Sequence, residues 1–292
     1  MGVSSRFPNL ADAKCINNSV IYYNIFVEGK SVNIVSIDPD KRSVLIPLFA
    51  NYLPQRIFVN SVLEGHSGIA LADSKTNPRV AQLTHPGWAI LGGDVTHPIA
   101  QKFAQQLSEM WVIPTSDVWR ALIFHVHGHH LKQMQGITFS SESLNLRHLQ
   151  SLQKQIPLDC HIEQVDISLA TRLKNEGLSS FPGFSSSADF AERGIGFCAT
   201  IEGRIVSHAV SLMQCREGIH IGIEIHPDFR NKGFATAVGA TLLVHCLEQG
   251  IYPHWSASCE NASSIHLAEK LGYVHDEAYE ALGVPIKVSQ FN

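Results

Sequence analysis

The chain has 292 residues, 45% hydrophobic and 16% charged, with a net charge of −4 and no long charge run. That suits a globular protein of one large or two modest domains, and it excludes bulk electrostatic binding to nucleic acid. No stretch is apolar and long enough to span a bilayer, and the opening MGVSSRFPNLADAKC lacks the apolar centre of a signal peptide.

Six cysteines (Cys15, Cys160, Cys198, Cys215, Cys246 and Cys259) form no C-x-x-C pair, and several lie in apolar runs. Buried free thiols in a reducing compartment are expected, with the cytoplasm as the location. In chain order, 20–26 (VIYYNIF) and 32–37 (VNIVSI) fit a hairpin around Glu28-Gly29-Lys30. From 44 to 63 the pattern is helical but broken by Pro47 and Pro54. Strands are expected at 67–72, 79–83 and 88–91. Gly92-Gly93-Asp94 follows, then a helix over 97–108, a short run at 111–113, and a helix over 117–126 with Ser116 as cap and Gly128 as stop. Residues from Leu131 read as extended.

The second half begins near Gln155-Ile156-Pro157. A short strand and helix are expected over 162–177, then a Ser-, Gly- and Phe-rich stretch over 179–190. Strands follow at 195–201, 204–213 and 219–226. In the last, Ile219, Ile221, Ile223 and Ile225 share one face and His220, Gly222, Glu224 and His226 the other. Pro227 stops that strand. Arg230-Asn231-Lys232-Gly233-Phe234-Ala235, of the form R-x-x-G-x-A, leads into a helix that places Ala235, Val238, Gly239, Leu242 and Cys246 on one face and stops at Gly250. The first amides of a helix lack internal partners and carry partial positive charge. Gly233 and Ala235 leave the backbone approachable, and Arg230 and Lys232 add charge. A pyrophosphate is the natural occupant. The spacing is neither G-x-x-x-x-G-K-S/T nor G-x-G-x-x-G. WSASC (255–259) reads as a strand and a helix from Ala262 follows.

The segment from Gly194 to Tyr273 resembles the GCN5-related N-acetyltransferases. The R-x-x-G-x-A loop resembles their motif A, and Asn261-Ala262-Ser263-Ser264 with Lys270-Leu271-Gly272-Tyr273 resembles the stretch after their fifth strand. IGIEIHPDFRNKGFATAVGATLLVHCLEQGIYPHW is similar to the zwittermicin A type of self-protection acetyltransferase. The resemblance implies an α/β fold with a mixed central sheet flanked by helices. It implies acetyl-CoA as co-substrate, with the pyrophosphate on the backbone of Lys232, Gly233, Phe234, Ala235 and Thr236 beside Arg230 and Asn231. The pantetheine arm would lie along Glu224, Ile225 and His226, with Asn261 and Ser264 as further contacts. The order strand, strand, strand, helix, strand, helix occurs twice. The expected organisation is therefore an extension over 1–37, a degenerate acetyltransferase-like domain over 38–155 without the phosphate loop, and the acetyltransferase domain over 156–292. The 179–190 stretch is either part of the acceptor pocket or a surface connection.

Glu224 is the first candidate for general base, because polar groups on one strand face point to a wet cleft and a shielded carboxylate has a raised pKa. His220 and His226 are its rivals. Many relatives carry a Tyr general acid where this chain has Ala268. The expected activity is direct transfer of acetyl to a primary amine of a small molecule, by a monomer more readily than a dimer. The alternative is a non-catalytic acyl-CoA sensor of the same fold. The run His125-Val126-His127-Gly128-His129-His130 resembles H-x-H-x-D-H, which suggests a metal hydrolase. Its other ligands are not evident, and the histidines suit a helix C-terminus instead, so no metal is expected.

Overall fold

The computed structural model describes residues 26–27, 30–31, 33–156 and 159–285. Strand β1 (Phe26–Val27) pairs antiparallel with β2 (Lys30–Ser31). The outer arm of the expected hairpin, 20–25, lies outside the described residues. Part of the expected second arm, β3 (Val35–Ser36), pairs elsewhere, with the strand at 69–72.

By compactness the chain forms two units. One runs up to Gln135 and takes back the chain from Tyr279; the other is Gly136–Ala278. The changeover thus falls at Gln135, ahead of the Gln155-Ile156-Pro157 segment.

In the first unit, Pro47 is accommodated in the first turn of a helix, where its missing N–H is not needed, and Pro54 falls between two helices. A tight turn leads into α1 (Ile46–Phe49), and α2 (Arg56–Leu63) starts two residues after Pro54. Then come β4 (Ile69–Ala72), β5 (Val80–His85), β6 (Trp88–Gly93), α3 (Pro98–Gln106), β7 (Met110–Pro114) and α4 (Asp117–His127). Ser116 Oγ accepts the Trp119 amide and Gly128 ends α4 at φ 58°, as read from the sequence. The sheet order is β3-β4-β5-β6-β7, antiparallel except for the parallel pair β6–β7.

The second unit contains the end of β8 (Lys132–Ser140), α5 (Leu146–Gln153), β9 (Cys160–Gln164), α6 (Ile167–Asn175), α7 (Ser187–Arg193), β10 (Gly196–Ile201), β11 (Arg204–Gln214), β12 (Gly218–Ile225), α8 (Phe234–Glu248), β13 (Tyr252–Ser258) and α9 (Ala262–Leu271). Its order is β9-β10-β11-β12-β13-β8, again antiparallel except for β12–β13. The expected mixed α/β fold is therefore present, and the repeat of order extends to strand pairing.

One feature was not legible in the sequence. Strand β14 (Val274–Val284) follows α9, yet its last residues complete the first unit, pairing Leu282 with Val112, Gly283 with Trp111 and Val284 with Met110. Arg120 fastens it there, with Nε donating to Glu280 Oε2 at 2.6 Å and Nη2 to Oε1 at 3.3 Å. Reciprocally, β8 from the first half pairs with β13 in the second unit, Trp255 opposite Phe139 through Ser258 opposite Gly136. Each half lends its last strand to the other half's sheet.

Helix α8 is apolar on every side and buried along most of its length, as a helix enclosed by other elements must be. Gly239 sets its distance from the sheet, since a Cβ there would lie 2.9 Å from Ile223 Cδ1. The Phe-rich stretch over 179–190 is neither pocket nor plain surface loop. Phe181 and Phe190 stack at 4.1 Å, Phe184 meets Phe190 edge-on at 5.0 Å, and all three are buried against Cys198, Ile205 and Val210. The pairing of β11 with β12 skips at Leu212, and the carbonyl freed there accepts the Gly183 amide at 2.8 Å.

A Cβ on Gly183 would sit 2.4 Å from that Leu212 oxygen and 2.7 Å from Met213 Cα. Gly183→Ala is therefore expected to destabilise the protein by about 1–3 kcal/mol, the usual cost of forcing atoms into packed backbone, read as a lower denaturant midpoint at unchanged m-value.

Candidate active site

The alternation on β12 is real. Ile219 and Ile221 are buried in the cluster that holds α8 and α9, and His220, Gly222 and Glu224 alternate with them. On one side β12 pairs with β11 from Gln214–Ile219 to Ser207–Ile225. On the other it pairs with β13 at three positions only, Gly218–Tyr252, Ile219–Pro253 and His220–His254. Gly218 permits the tight closed end, where a Cβ would come within 2.0 Å of Tyr252 O. Beyond His220 the two parallel strands part, while β13 goes on pairing with β8 through its other edge. Residues 221–225 thus keep a ladder on the β11 side alone, and main-chain groups facing the gap are left for another extended chain.

The strand ends at His226, and a single turn, Pro227–Phe229, leads to the loop. Asn231 (φ 60°) and Gly233 (φ 89°) both adopt the left-handed region, which Asn tolerates and Gly favours. Around Gly233 there is open space: the nearest atom to an added Cβ is Gln155 O at 3.9 Å. No side chain caps α8, and its first capping bond is Ala237 N–H to Gly233 O. Among the described residues the amides of Phe234, Ala235 and Thr236 have no protein acceptor. Phe234 points inward, buried with Val206 and Ala199 and edge-on to Phe229 at 5.8 Å, so the loop is anchored by its side chain while its backbone stays open. Arg230 and Lys232 are exposed; Lys232 Nζ donates to Asp228 O at 3.0 Å and lies 5.2 Å from the Phe229 ring centre. An open run of amides at a helix head, with two cationic residues in the same loop, is suited to an anion.

Glu224 as a whole is exposed, yet partial desolvation holds its carboxyl above the ordinary value of 4.5. Ser207 Oγ donates to its main-chain oxygen at 2.8 Å, and His208 stands opposite it on β11. Burial pushes His208 down to about 4. His220 is likewise pushed down to about 4, and it meets His254 edge-on at 5.1 Å. His226 is occupied differently: Arg204 Nη2 donates to its Nε2 at 2.7 Å. The other ring nitrogen, Nδ1, faces the Asp228 amide N–H at 3.3 Å and lies 3.6 Å from Asp228 Oδ2, so both ring nitrogens are engaged by neighbouring groups. Asn261 Oδ1 caps α9 by accepting the Ser264 amide at 3.1 Å, and Ser264 Oγ accepts the Trp255 indole N–H at 3.1 Å. The loop, Glu224 and the head of α9 are the positions the sequence singled out, and the structure places them along β12 and at the starts of α8 and α9. Arg204, Ser207, His208 and His254 were not singled out, because only the cross-strand register brings them to β12.

The family model for GNAT acetyltransferase matches residues 47–282. The chain belongs to the GNAT acetyltransferase family. A Bacillus subtilis (strain 168) protein named as the uncharacterized N-acetyltransferase YdfB is 26% identical over 226 residues, covering 74% of this chain and 85% of the relative. Among solved structures, a GCN5-related N-acetyltransferase-like protein from Streptococcus suis 89/1591 superposes with TM-score 0.72 at 27% identity, covering 84% of this chain and 98% of that one. A tandem GNAT protein from the clavulanic acid biosynthesis pathway shares the fold, with TM-score 0.55 at 11% identity over 85% and 97%. The protein is an N-acetyltransferase, and no helix among the described residues is long and apolar enough to cross a membrane.

Within this GNAT chain the first half differs at the matching positions. β6 and β7 stay paired from Trp88–Trp111 to Leu91–Pro114. Thr115 Oγ1 donates to Leu91 O at 2.7 Å and the Trp119 indole to Gly93 O at 3.1 Å, so carbonyls at the end of β6 are taken by side chains. At the head of α3, Asp94 brings a negative charge, paired with Arg79 and accepting the Thr96 amide at 2.9 Å. Pro98 has no amide to offer.

The histidine run ends α4: His127 Nε2 lies 2.8 Å from Ala104 O, while His125, His129 and His130 are exposed. Among the described residues no three His, Cys, Asp or Glu side chains are grouped to hold a metal.

Ala268 is fully buried between α8 and α9. Tyr273 is buried too; its hydroxyl donates to Pro253 O at 2.8 Å, and burial pushes the phenol well above its ordinary value. Neither position presents a proton donor to the gap. Ala268→Tyr, which restores the family's usual residue, is therefore expected to lower stability by about 1–3 kcal/mol through overpacking and to give no gain in kcat, measured by thermal melting and by thiol release.

Proposed function

We propose that the chain transfers the acetyl group of acetyl-CoA to a primary amine of a small molecule, in one step with both substrates bound. The observation that carries this reading is the gap between β12 and β13, which opens beside the uncapped, glycine-lined head of α8. The residues present fit acetyl-CoA. The amides of Gly233 to Thr236, with Arg230, Asn231 and Lys232, suit a diphosphate, and the half-paired stretch 221–225 suits the amides of the pantetheine arm. Asn261 and Ser264, at the head of α9, stand as further contacts, made by groups that their capping bonds leave free. Acetyl-CoA supplies an activated thioester; the chain supplies position and a base. Holding both substrates in register removes much of the entropic barrier.

Glu224 is the base in this reading. It takes a proton from the amine as the C–N bond forms and the C–S bond breaks with its electron pair on sulfur, which picks up a proton as the thiol leaves. His220 and His226 fit this role less well, one by burial and the other because Arg204 occupies its lone pair. The similarity to zwittermicin A-type self-protection enzymes supports an aminated small molecule as acceptor. The exchanged strands β8 and β14, which complete both sheets within one chain, support a monomer.

Acetyl-CoA is expected to raise Tm, as any ligand of the native state does. Gly233→Asp, which places a side chain and a negative charge where the diphosphate sits, is expected to abolish the rise in differential scanning calorimetry. A variant that keeps the full rise refutes the loop assignment. Because the Glu224 pKa is raised, the base forms only as pH climbs through that value. The kcat/KM profile against aminated natural products, polyamines and amino acids is expected to have an acidic limb above pH 4.5. Glu224→Gln is expected to remove the limb and cost about 10²–10⁴ in rate. A limb that survives in Glu224→Gln gives the base role to another group.

A further inference from the structure

His220 occupies the last paired register before β12 and β13 part, opposite His254, and the two rings meet edge-on at 5.1 Å. Its Nδ1 is sealed from solvent and has no hydrogen-bond partner in the protein. A buried polar atom left without a partner costs stability and calls for an explanation. The explanation lies in reach. From the open end of β12 to His220 the strand runs through residues 221–225, about 16 Å. The pantetheine arm, from phosphate to sulfur, is as long as four to five extended residues, roughly 15 Å. An arm anchored at the head of α8 and laid along β12 brings its thioester to the vertex, where the orphan nitrogen is.

We propose that His220 is the thioester-carbonyl donor of this enzyme, with Nδ1–H hydrogen-bonded to the acyl oxygen and His254 holding the ring in place. The inference rests on the acetyl-CoA reading above. As negative charge grows on that oxygen during attack, a donor already fixed in a dry site stabilises it without reorganisation. Neutrality suits the task. Burial holds His220 uncharged at working pH, so it gives a hydrogen bond without competing with Glu224 for the amine proton. The role differs from base catalysis: it keeps its proton throughout.

His220→Phe keeps a ring against His254 and removes the donor. The expected result is a fall of about 10²-fold in kcat, with the Kd of CoA unchanged and Tm unchanged or higher. A kcat within threefold of wild type overturns the proposal. A second measurement on the wild-type protein needs no variant. With ¹⁵N-labelled histidine, the His220 Nδ1 resonance, assigned by its through-bond connectivity, is expected to shift on adding the ketone analogue acetonyl-CoA and to stay in place on adding CoA. Equal shifts, or none although the analogue binds, overturn it. If neither CoA compound binds the wild-type protein in calorimetry, the acetyl-CoA reading itself has failed, and this inference fails with it.

Discussion

The parting of two parallel strands organises this protein. A paired strand satisfies its main-chain groups on both sides and offers nothing to a ligand. β12 is satisfied on both sides up to His220 and on one side from there to Ile225. Everything assigned to the site follows from that asymmetry. The half-free stretch leaves main-chain groups open to an extended ligand, the helix head beyond it leaves amides open to a charged end, and Glu224 stands on the same stretch. The parting is confined to one edge of β13, whose other edge stays paired with β8 from Trp255 to Ser258.

The two halves are a natural control. Both have three antiparallel strands, a helix, a strand parallel to the third, and a second helix. Only one keeps the gap. In the other, a threonine hydroxyl and an indole N–H take up carbonyls at the end of β6, and an aspartate sits at the helix head that would face a diphosphate. Fold alone therefore does not confer the site; it depends on which main-chain groups are left unpaired and on the sign of the charge beside them.

Local chemistry was legible in the sequence and long-range pairing was not. The Ile-x-Ile alternation, Pro227 and the R-x-x-G-x-A turn act within a dozen residues, so they placed β12, the loop and the start of α8. Ser116 and Gly128 bounded α4 for the same reason. By contrast, His208 comes opposite Glu224 only through the β11–β12 register, and that register contains a skip at Leu212 that no local pattern announces. The phenylalanines of 179–190 looked like loop residues because Ser and Gly surround them, yet their rings close a core against β10 and β11. The stretch VHDEAYEALGV hid β14, since its first half is polar and exposed and its second half buried.

The exchange of terminal strands bears on how the molecule comes into being. Residues 282–284 close the sheet begun by β3 and β4, more than two hundred positions earlier in the chain. During synthesis β7 lacks its partner until residues 282–284 have been made, and loop closure over such a span is slow. Order of manufacture and order of assembly are thus decoupled. Neither half can be cut away without robbing the other of a paired strand, so each half needs the other to complete its sheet.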